Sequence, residues 1–286
     1  ALYSLMNYAD IKLGTWYPKG GMHEIVAGMQ KLAEEFGVKF HFNATVEKIN
    51  TKNGRATSML INGETHAFDS IVGGADYNFI EQKLLDKSER NYSENYWEKR
   101  EMAPSSLIYY LGVEAKIDNL EHHNLFFDAD FAKHAKELYS TPMWPSEPLF
   151  YVCAPSKTDD SVAPAGKENL FLLMPVAPGI EDNEEIRERY FDMMIERIEK
   201  RTNTSFKNKI IYKKSFAIND FKSEYNAFKG NAYGLANTLK QTAILKPSIT
   251  NKKVKGLYYT GQLTVPGPGV PPSLISGKLV ANQICK

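Results

Sequence analysis

The stretch from Gly256 to Ile284 constrains the fold more than any other. An apolar β-type run, Leu257 to Thr260, stops at Gly261, a Gly/Pro-dense turn follows, and an amphipathic helix begins near Ser273. A strand, a glycine loop and a helix N-terminus together make a corner that favours anions. Backbone N–H groups point outward there, the helix dipole is positive, and glycine lets a ligand approach the main chain. The pattern is the expected signature of a corner holding one end of a phosphate-bearing cofactor, with an ordinary Pro/Gly turn before a terminal helix as the alternative. Gly267-Pro-Gly269-Val-Pro-Pro272 falls one residue short of the G-x-G-x-x-G fingerprint. That fingerprint needs a βαβ unit after it and an acidic residue about 20 positions on. No Asp or Glu follows here, so the corner reads as the last βα unit of a cofactor layer and not its first.

The ends of the chain share this character. Met22, Ile25, Val26, Met29, Leu32, Ala33 and Phe36 repeat with a helical period, and Gly37 is the expected C-terminal stop. Val38–Phe42 and Thr45–Ile49 alternate like half-buried strands, and Asn53-Gly54 and Asn62-Gly63 signal hairpins between further strands. Ser70–Asp76 reads as a buried strand closing on small residues. Between Tyr77 and Lys253 the chain turns aromatic, with strand-like runs at Ser105–Leu111, Leu149–Cys153 and Leu170–Met174 and a helix over Glu184–Lys200. The expected fold class is therefore α/β (α+β mixed). Residues 1–76 and 254–286 form part of one cofactor layer, and 77–253 form a mixed-sheet domain with helices inserted between them.

Bulk properties remove several classes of function. The 35 Lys and Arg balance the 34 Asp and Glu, so no global field favours nucleic acid. The two cysteines, Cys153 and Cys285, are far apart and suggest neither a disulfide framework nor a metal cluster; a reducing cytoplasm is the simple reading. No apolar run approaches the roughly 18 residues of a membrane span. The six histidines show no ligand spacing, and His122-His123, being adjacent, reads as a surface pair with diverging rings. No metal site is expected, and no nucleophile elbow or Cys/His pairing appears.

Several spaced motifs then fall in register with one family. Trp16-Tyr-Pro-Lys-Gly-Gly-Met-His, Leu32-Ala-Glu-Glu, Gly73-Gly-Ala-Asp76, Tyr110-Leu-Gly-Val, Pro155-Ser-x-Thr-Asp, Ala163-Pro-x-Gly166 and Thr264-x-Pro-Gly-x-Gly-x-Pro271 resemble carotenoid desaturases of the phytoene dehydrogenase type. The resemblance implies an FAD-dependent oxidoreductase with a Rossmann-like cofactor domain. It also implies a long apolar polyene as substrate and peripheral contact with a membrane from the cytoplasmic side. The family opens with a strand and G-x-G-x-x-G that this chain does not contain, so the sequence is expected to match the C-terminal three-fifths and to hold FAD poorly on its own.

By the same resemblance, Gly261 and Gln262 stand where a late strand meets the ribityl and phosphate groups. Gly269, Val270, Pro271 and Ser273 lie in the stretch that approaches the flavin ring. Val46 meets the adenine side or is a core valine. Ala75 and Asp76 either close a cofactor-facing strand or, for Asp76, cap the next helix. Lys19 and Gly20 face the flavin or substrate or form a simple turn. The aromatic middle, Tyr110 and Phe150 included, lines a hydrocarbon tunnel. The stretch from Phe126 to Trp144 is a candidate for dipping into a bilayer interface. Catalytic residues and oligomeric state are left open. A carotene isomerase, an amine-oxidase-like flavoenzyme and a non-catalytic carotenoid- or lipid-binding fragment are the alternatives.

Overall fold

A computed structural model describes residues 8–286. Helix α1 (His23–Glu35) ends where Gly37 takes φ +83°, as its sequence predicts. The following segment, 38–45, is not a strand. Its alternating apolar residues find no neighbouring strand among the described residues, so the pattern has no ladder to join. Val38, Phe40 and Phe42 are exposed, and no residue of α1 is buried.

Strands β1 (Val46–Lys52), β2 (Arg55–Ile61) and β3 (Glu64–Ala67) form an antiparallel meander. Both predicted Asn-Gly turns form. Asn53 and Gly54 have φ +52° and +70°, Asn62 and Gly63 +48° and +82°, the paired left-handed conformations that two-residue hairpins require. Strand β4 (Ile71–Gly73) leads into α2 (Tyr77–Leu84) and then the short α3 (Glu94–Glu98).

The central block is a five-stranded sheet in the order β6-β7-β8-β5-β9. It comprises β5 (Ser105–Val113), β6 (His123–Phe126), β7 (Phe150–Cys153), β8 (Glu168–Val176) and β9 (Ile210–Phe216). Helix α4 (Phe131–Tyr139) lies between β6 and β7, α5 (Glu184–Thr202) between β8 and β9, and α6 (Ile218–Tyr225) follows β9. The sheet was expected to be mixed; every pairing described in it is antiparallel. Alternation along β8 is strict, with Leu170, Leu172, Met174 and Val176 buried. These residues join Leu107, Tyr109 and Leu111 of β5 and Met194, Ile195 and Ile198 of α5 in one core. Burying a side chain of this size contributes about 1.5–3 kcal/mol.

The chain closes with β10 (Leu257–Tyr259), parallel to β4 with Leu257 opposite Ile71, and α7 (Val270–Ile284). Helix α7 starts three residues earlier than predicted, because Pro271 and Pro272 occupy its first turn, where a missing N–H breaks no helical bond. A second core surrounds this strand pair and includes Ile49, Ile71, Tyr77, Trp97, Met102, Leu235, Leu257 and Tyr259. It draws on residues to both sides of positions 76 and 254.

Candidate functional site

The C-terminal ends of β4 and β10 lie side by side and open into the same corner. Small residues make the approach possible. A Cβ on Gly73 would lie 2.5 Å from Ile80 Cδ1, and Gly261 turns the chain out of β10 at φ +98°. The Thr260 N–H donates to the Gly73 carbonyl at 3.0 Å, extending the parallel pair by one rung.

Helix α7 is pinned to this corner by one hydroxyl. Ser276, fully buried, accepts from the Gly261 N–H at 3.0 Å, lies 2.6 Å from Thr260 Oγ1, and donates to the Ser273 carbonyl at 2.7 Å. Its single proton is committed to Ser273, so Thr260 is the donor in the pair. Thr264 completes the turn, its N–H and hydroxyl both donating to the Gly261 carbonyl, at 3.0 and 2.8 Å. The five residues Thr260, Gly261, Thr264, Ser273 and Ser276 lock the glycine loop and the helix start into one unit.

A cavity of about 330 Å³ opens at this unit, lined by Gly74, Ala75, Asp76, Thr260 and Gln262 with Tyr225 and Asn231 across it. A second cleft of about 410 Å³ lies against Val46, Met59, Gly73, Gly74 and Ala75. Gly74 and Ala75 thus separate two hollows, and Val46 reaches only the second. Asp76 caps α2: its carboxylate accepts from the Phe79 N–H at 3.1 Å, and from the Phe228 N–H at 3.2 Å. Burial pushes this carboxyl above the ordinary range. Gln262 donates to Asn231 Oδ1 at 3.3 Å.

Gly269 precedes α7 at φ +115°. The Ser273 N–H closes the first turn onto the Gly269 carbonyl at 2.9 Å and so is not free for a cofactor. Pro271 and Pro272 have no donor, so Val270, half exposed, carries the remaining N–H of this turn. One feature of the loop has no sequence signal: Lys246. Its residue is 5% exposed, and its Nζ has no hydrogen-bond partner among the described residues. A Cβ on Gly267 would stand 3.6 Å from that ammonium. Burial lowers the lysine pKa. A buried cation without an acceptor costs several kcal/mol, and a site that supplies an anionic or carbonyl oxygen at the glycine loop removes that cost. The corner therefore fits a group bearing such oxygens.

Away from the corner, the sheet face opposite α5 is aromatic. Tyr110 on β5 meets Phe171 on β8 edge-on at 5.5 Å, Phe171 meets Tyr151 on β7 at 6.4 Å, and Tyr151 stacks on His123 of β6 at 5.9 Å. Tyr110 is 42% exposed. Phe150 lies on the other side, 1% exposed, stacked on Phe126 with Arg197 over its ring. It also borders an apolar cavity of about 330 Å³ with Leu125, Phe131, Leu138, Tyr151 and Leu173. Tyr151 and Phe171 were not singled out in the sequence, although β-alternation about Tyr110 and Phe150 was the signal available. Lys19 and Gly20 are exposed and sit in a turn directed at the central block, where the Gly20 N–H donates to Asp159 Oδ2 at 2.7 Å.

The histidine pair departs from expectation. His122 is 9% exposed and not a surface residue, and its ring lies 4.3 Å from that of His123 instead of diverging. His122 immediately precedes β6, and the turn there folds both rings to one side.

Comparison with known proteins bears on family and fold. The profile of the flavin containing amine oxidoreductase family matches residues 1–285. A carotenoid 3,4-desaturase of Haloarcula japonica is 43% identical over 99% of this chain and 57% of its own length. A zeta-carotene-forming phytoene desaturase of Myxococcus xanthus is 32% identical over 99% of this chain and 55% of its own length. The chain thus spans a little over half the length of these relatives. The crystal structure of an oxidoreductase from Methanosarcina mazei superposes with a TM-score of 0.67 at 16% identity, covering 100% of this chain and 59% of that one; this likeness concerns the fold. Among the described residues no helix is long and apolar enough to cross a membrane.

Proposed function

The chain belongs to the flavin containing amine oxidoreductase family, and from that premise we propose that it is the substrate-covering and flavin-ring-facing part of an FAD-dependent carotenoid desaturase. The observation that carries the reading is the continuity of two surfaces. The cavity at the ends of β4 and β10 has Tyr225 in its wall, and Tyr225 lies near Tyr110, whose hydroxyl pKa is raised first by burial and then by the neighbouring Tyr225. Tyr110 begins the aromatic row on the open sheet face. A polar corner for a cofactor thus runs into an apolar, aromatic face suited to a ligand without polar handles.

In this reading Gly261, Gln262 and the Val270 N–H hold the flavin end of FAD, with Lys246 supplying a cation to an oxygen of the group. Bound FAD supplies acceptance of a hydride from an allylic C–H of the polyene, a proton being lost alongside. The chain's own part is to orient and to exclude water. Ser276 and Thr264 fix the loop, Tyr110, Phe171 and Tyr151 lay the polyene along the sheet, and the apolar cavity beside Leu138 keeps its end dry. Asp76 is occupied by two backbone donors and serves as a structural tie.

The test is made on the whole protein that carries this chain, supplied with FAD and a phytoene-type polyene in liposomes. A desaturase shifts product absorption to longer wavelength as conjugation extends. Product of unchanged conjugation length would mean an isomerase, and bound but unaltered polyene a carrier; either result overturns the proposal. Lys246→Met is expected to lower flavin retention while raising the Tm of the cofactor-free protein, since it removes a buried unpaired charge.

A further inference from the structure

Strands β6 and β7 bring together three side chains that ligate soft metals. His123 and Cys153 are directly paired across the two strands, a position that sets their Cβ atoms roughly 4.5–5.5 Å apart. His122 lies one residue before His123, and its carbonyl accepts the Ala154 N–H at 2.8 Å, which holds it beside the end of β7. His122, His123 and Cys153 can each supply one ligand atom, and these atoms lie within 4.8 Å of one another. Tetrahedral zinc with bonds of about 2.0–2.3 Å sets its ligand atoms roughly 3.3–3.8 Å apart, so closure asks for rotamer adjustment of about an ångström.

A second observation points to a ligand. His122 is nine-tenths buried, and its Nε2 has no hydrogen-bond partner among the described residues. Its other nitrogen, Nδ1, lies 2.6 Å from Thr158 Oγ1. Donation from Nδ1–H to that hydroxyl leaves a lone pair on the orphaned Nε2. His123 repeats the arrangement, with Nδ1 2.5 Å from the Tyr151 hydroxyl. A metal-ligating imidazole characteristically donates its second N–H to such a partner, which fixes tautomer and ring orientation. Both outer partners are thus already in place. The edge of Tyr17 closes the site above His122 at 4.7 Å.

We propose that His122, His123 and Cys153 bind one zinc-class divalent cation, through two imidazole nitrogens and a thiolate, with the fourth position left to solvent. Two imidazoles and one thiolate favour zinc over magnesium or calcium, which take oxygen ligands. Asp159 is the nearby carboxylate, but its oxygens accept from the Gly20 N–H and from the Ser161 N–H and hydroxyl. It therefore lends the site negative charge without joining the ligand set. The proposal is independent of the flavin reading.

The experiment titrates the chain with Co²⁺ and reads the thiolate-to-cobalt charge-transfer band, then competes zinc against a chromophoric chelator. One equivalent is expected, with the band lost in Cys153→Ser and kept in Cys285→Ser. His123→Asn alters an exposed residue and leaves the fold intact by circular dichroism; it is expected to weaken zinc by more than 10-fold. Tyr151→Phe removes only an outer partner, at a cost of about 10–100-fold. No charge-transfer band, or a band and zinc affinity unchanged in Cys153→Ser and His123→Asn, would overturn the site.

Discussion

Glu81 is fully buried, and its carboxylate accepts three hydrogen bonds: from the Asn91 N–H at 2.7 Å, the Tyr92 N–H at 3.0 Å and the Tyr259 hydroxyl at 3.1 Å. Burial nevertheless outweighs these donors, and the pKa is pushed up to about 7. The folded state then holds a proton that the unfolded chain, titrating near 4.5, has already released. Stability attributable to this group is full below the unfolded pKa and falls as pH rises through the window between the two values. The expected loss is about 2 kcal/mol between pH of about 5 and about 7.5. Urea unfolding at both pH values checks it: wild type should lose that amount relative to Glu81→Gln, and parallel curves would refute the assignment. The group matters to the site because Tyr259, which it holds, ends β10 immediately before Thr260 and Gly261. None of this was readable from one sequence. An acidic residue in a helical run looks like any solvated Glu until the fold places Tyr259 and the 91–92 turn over it. The same holds for Lys246 and for His122, whose meaning comes from neighbours distant in the chain.

Elements whose signals are local were the ones the sequence predicted well. The Asn-Gly hairpins, the Gly37 stop and the α5 period rest on backbone conformations or faces decided within a few residues. The 38–42 segment shows the limit, since alternation states what a strand would do with a partner and not whether one lies beside it. Glycines at element ends behave in between. Gly234 has φ +75°, and a Cβ there would lie 3.0 Å from the Gln262 carbonyl oxygen. Its own N–H donates to Asn231 Oδ1 at 2.7 Å, and its carbonyl accepts from Ala103. Gly234→Ala meets both an unfavourable left-handed backbone and the main chain of the candidate corner. A destabilisation of about 1–3 kcal/mol is expected. Amide exchange should rise in β4 and β10 and stay unchanged in β5 and β8, which belong to the other core. Uniform acceleration, or none, would show that Gly234 does not support the corner.

For the molecule as a whole, the α5 side of the central sheet is closed and the opposite side is open at one end. Leu125, Phe127 and Phe131 are each more than half exposed and rim the apolar cavity, with Lys133, ion-paired to Glu147 at 3.2 Å, in the first turn of α4. An apolar rim of this kind suits shallow insertion among lipid headgroups. Sedimentation with liposomes should carry the chain down, and Phe127→Glu with Phe131→Glu should reduce the bound fraction several-fold. Equal sedimentation of the double variant would exclude this rim as the contact. The sequence located the aromatic block, but could not separate residues of the closed side, such as Phe150, from those of the open side, such as Tyr151.

The parallel pairing of Ile71 with Leu257 has a consequence in time. Strand β4 leaves the ribosome before β10, with the whole five-stranded sheet synthesised between them. Loop-closure entropy rises only slowly with the length enclosed, and a block that folds first shortens the effective loop. The central sheet, completed in order along the chain, brings its two ends together and sets the register in which β10 meets β4. Assembly of the corner therefore waits on translation of β10, so a stop codon between Phe216 and Leu257 would leave β4 without its parallel partner.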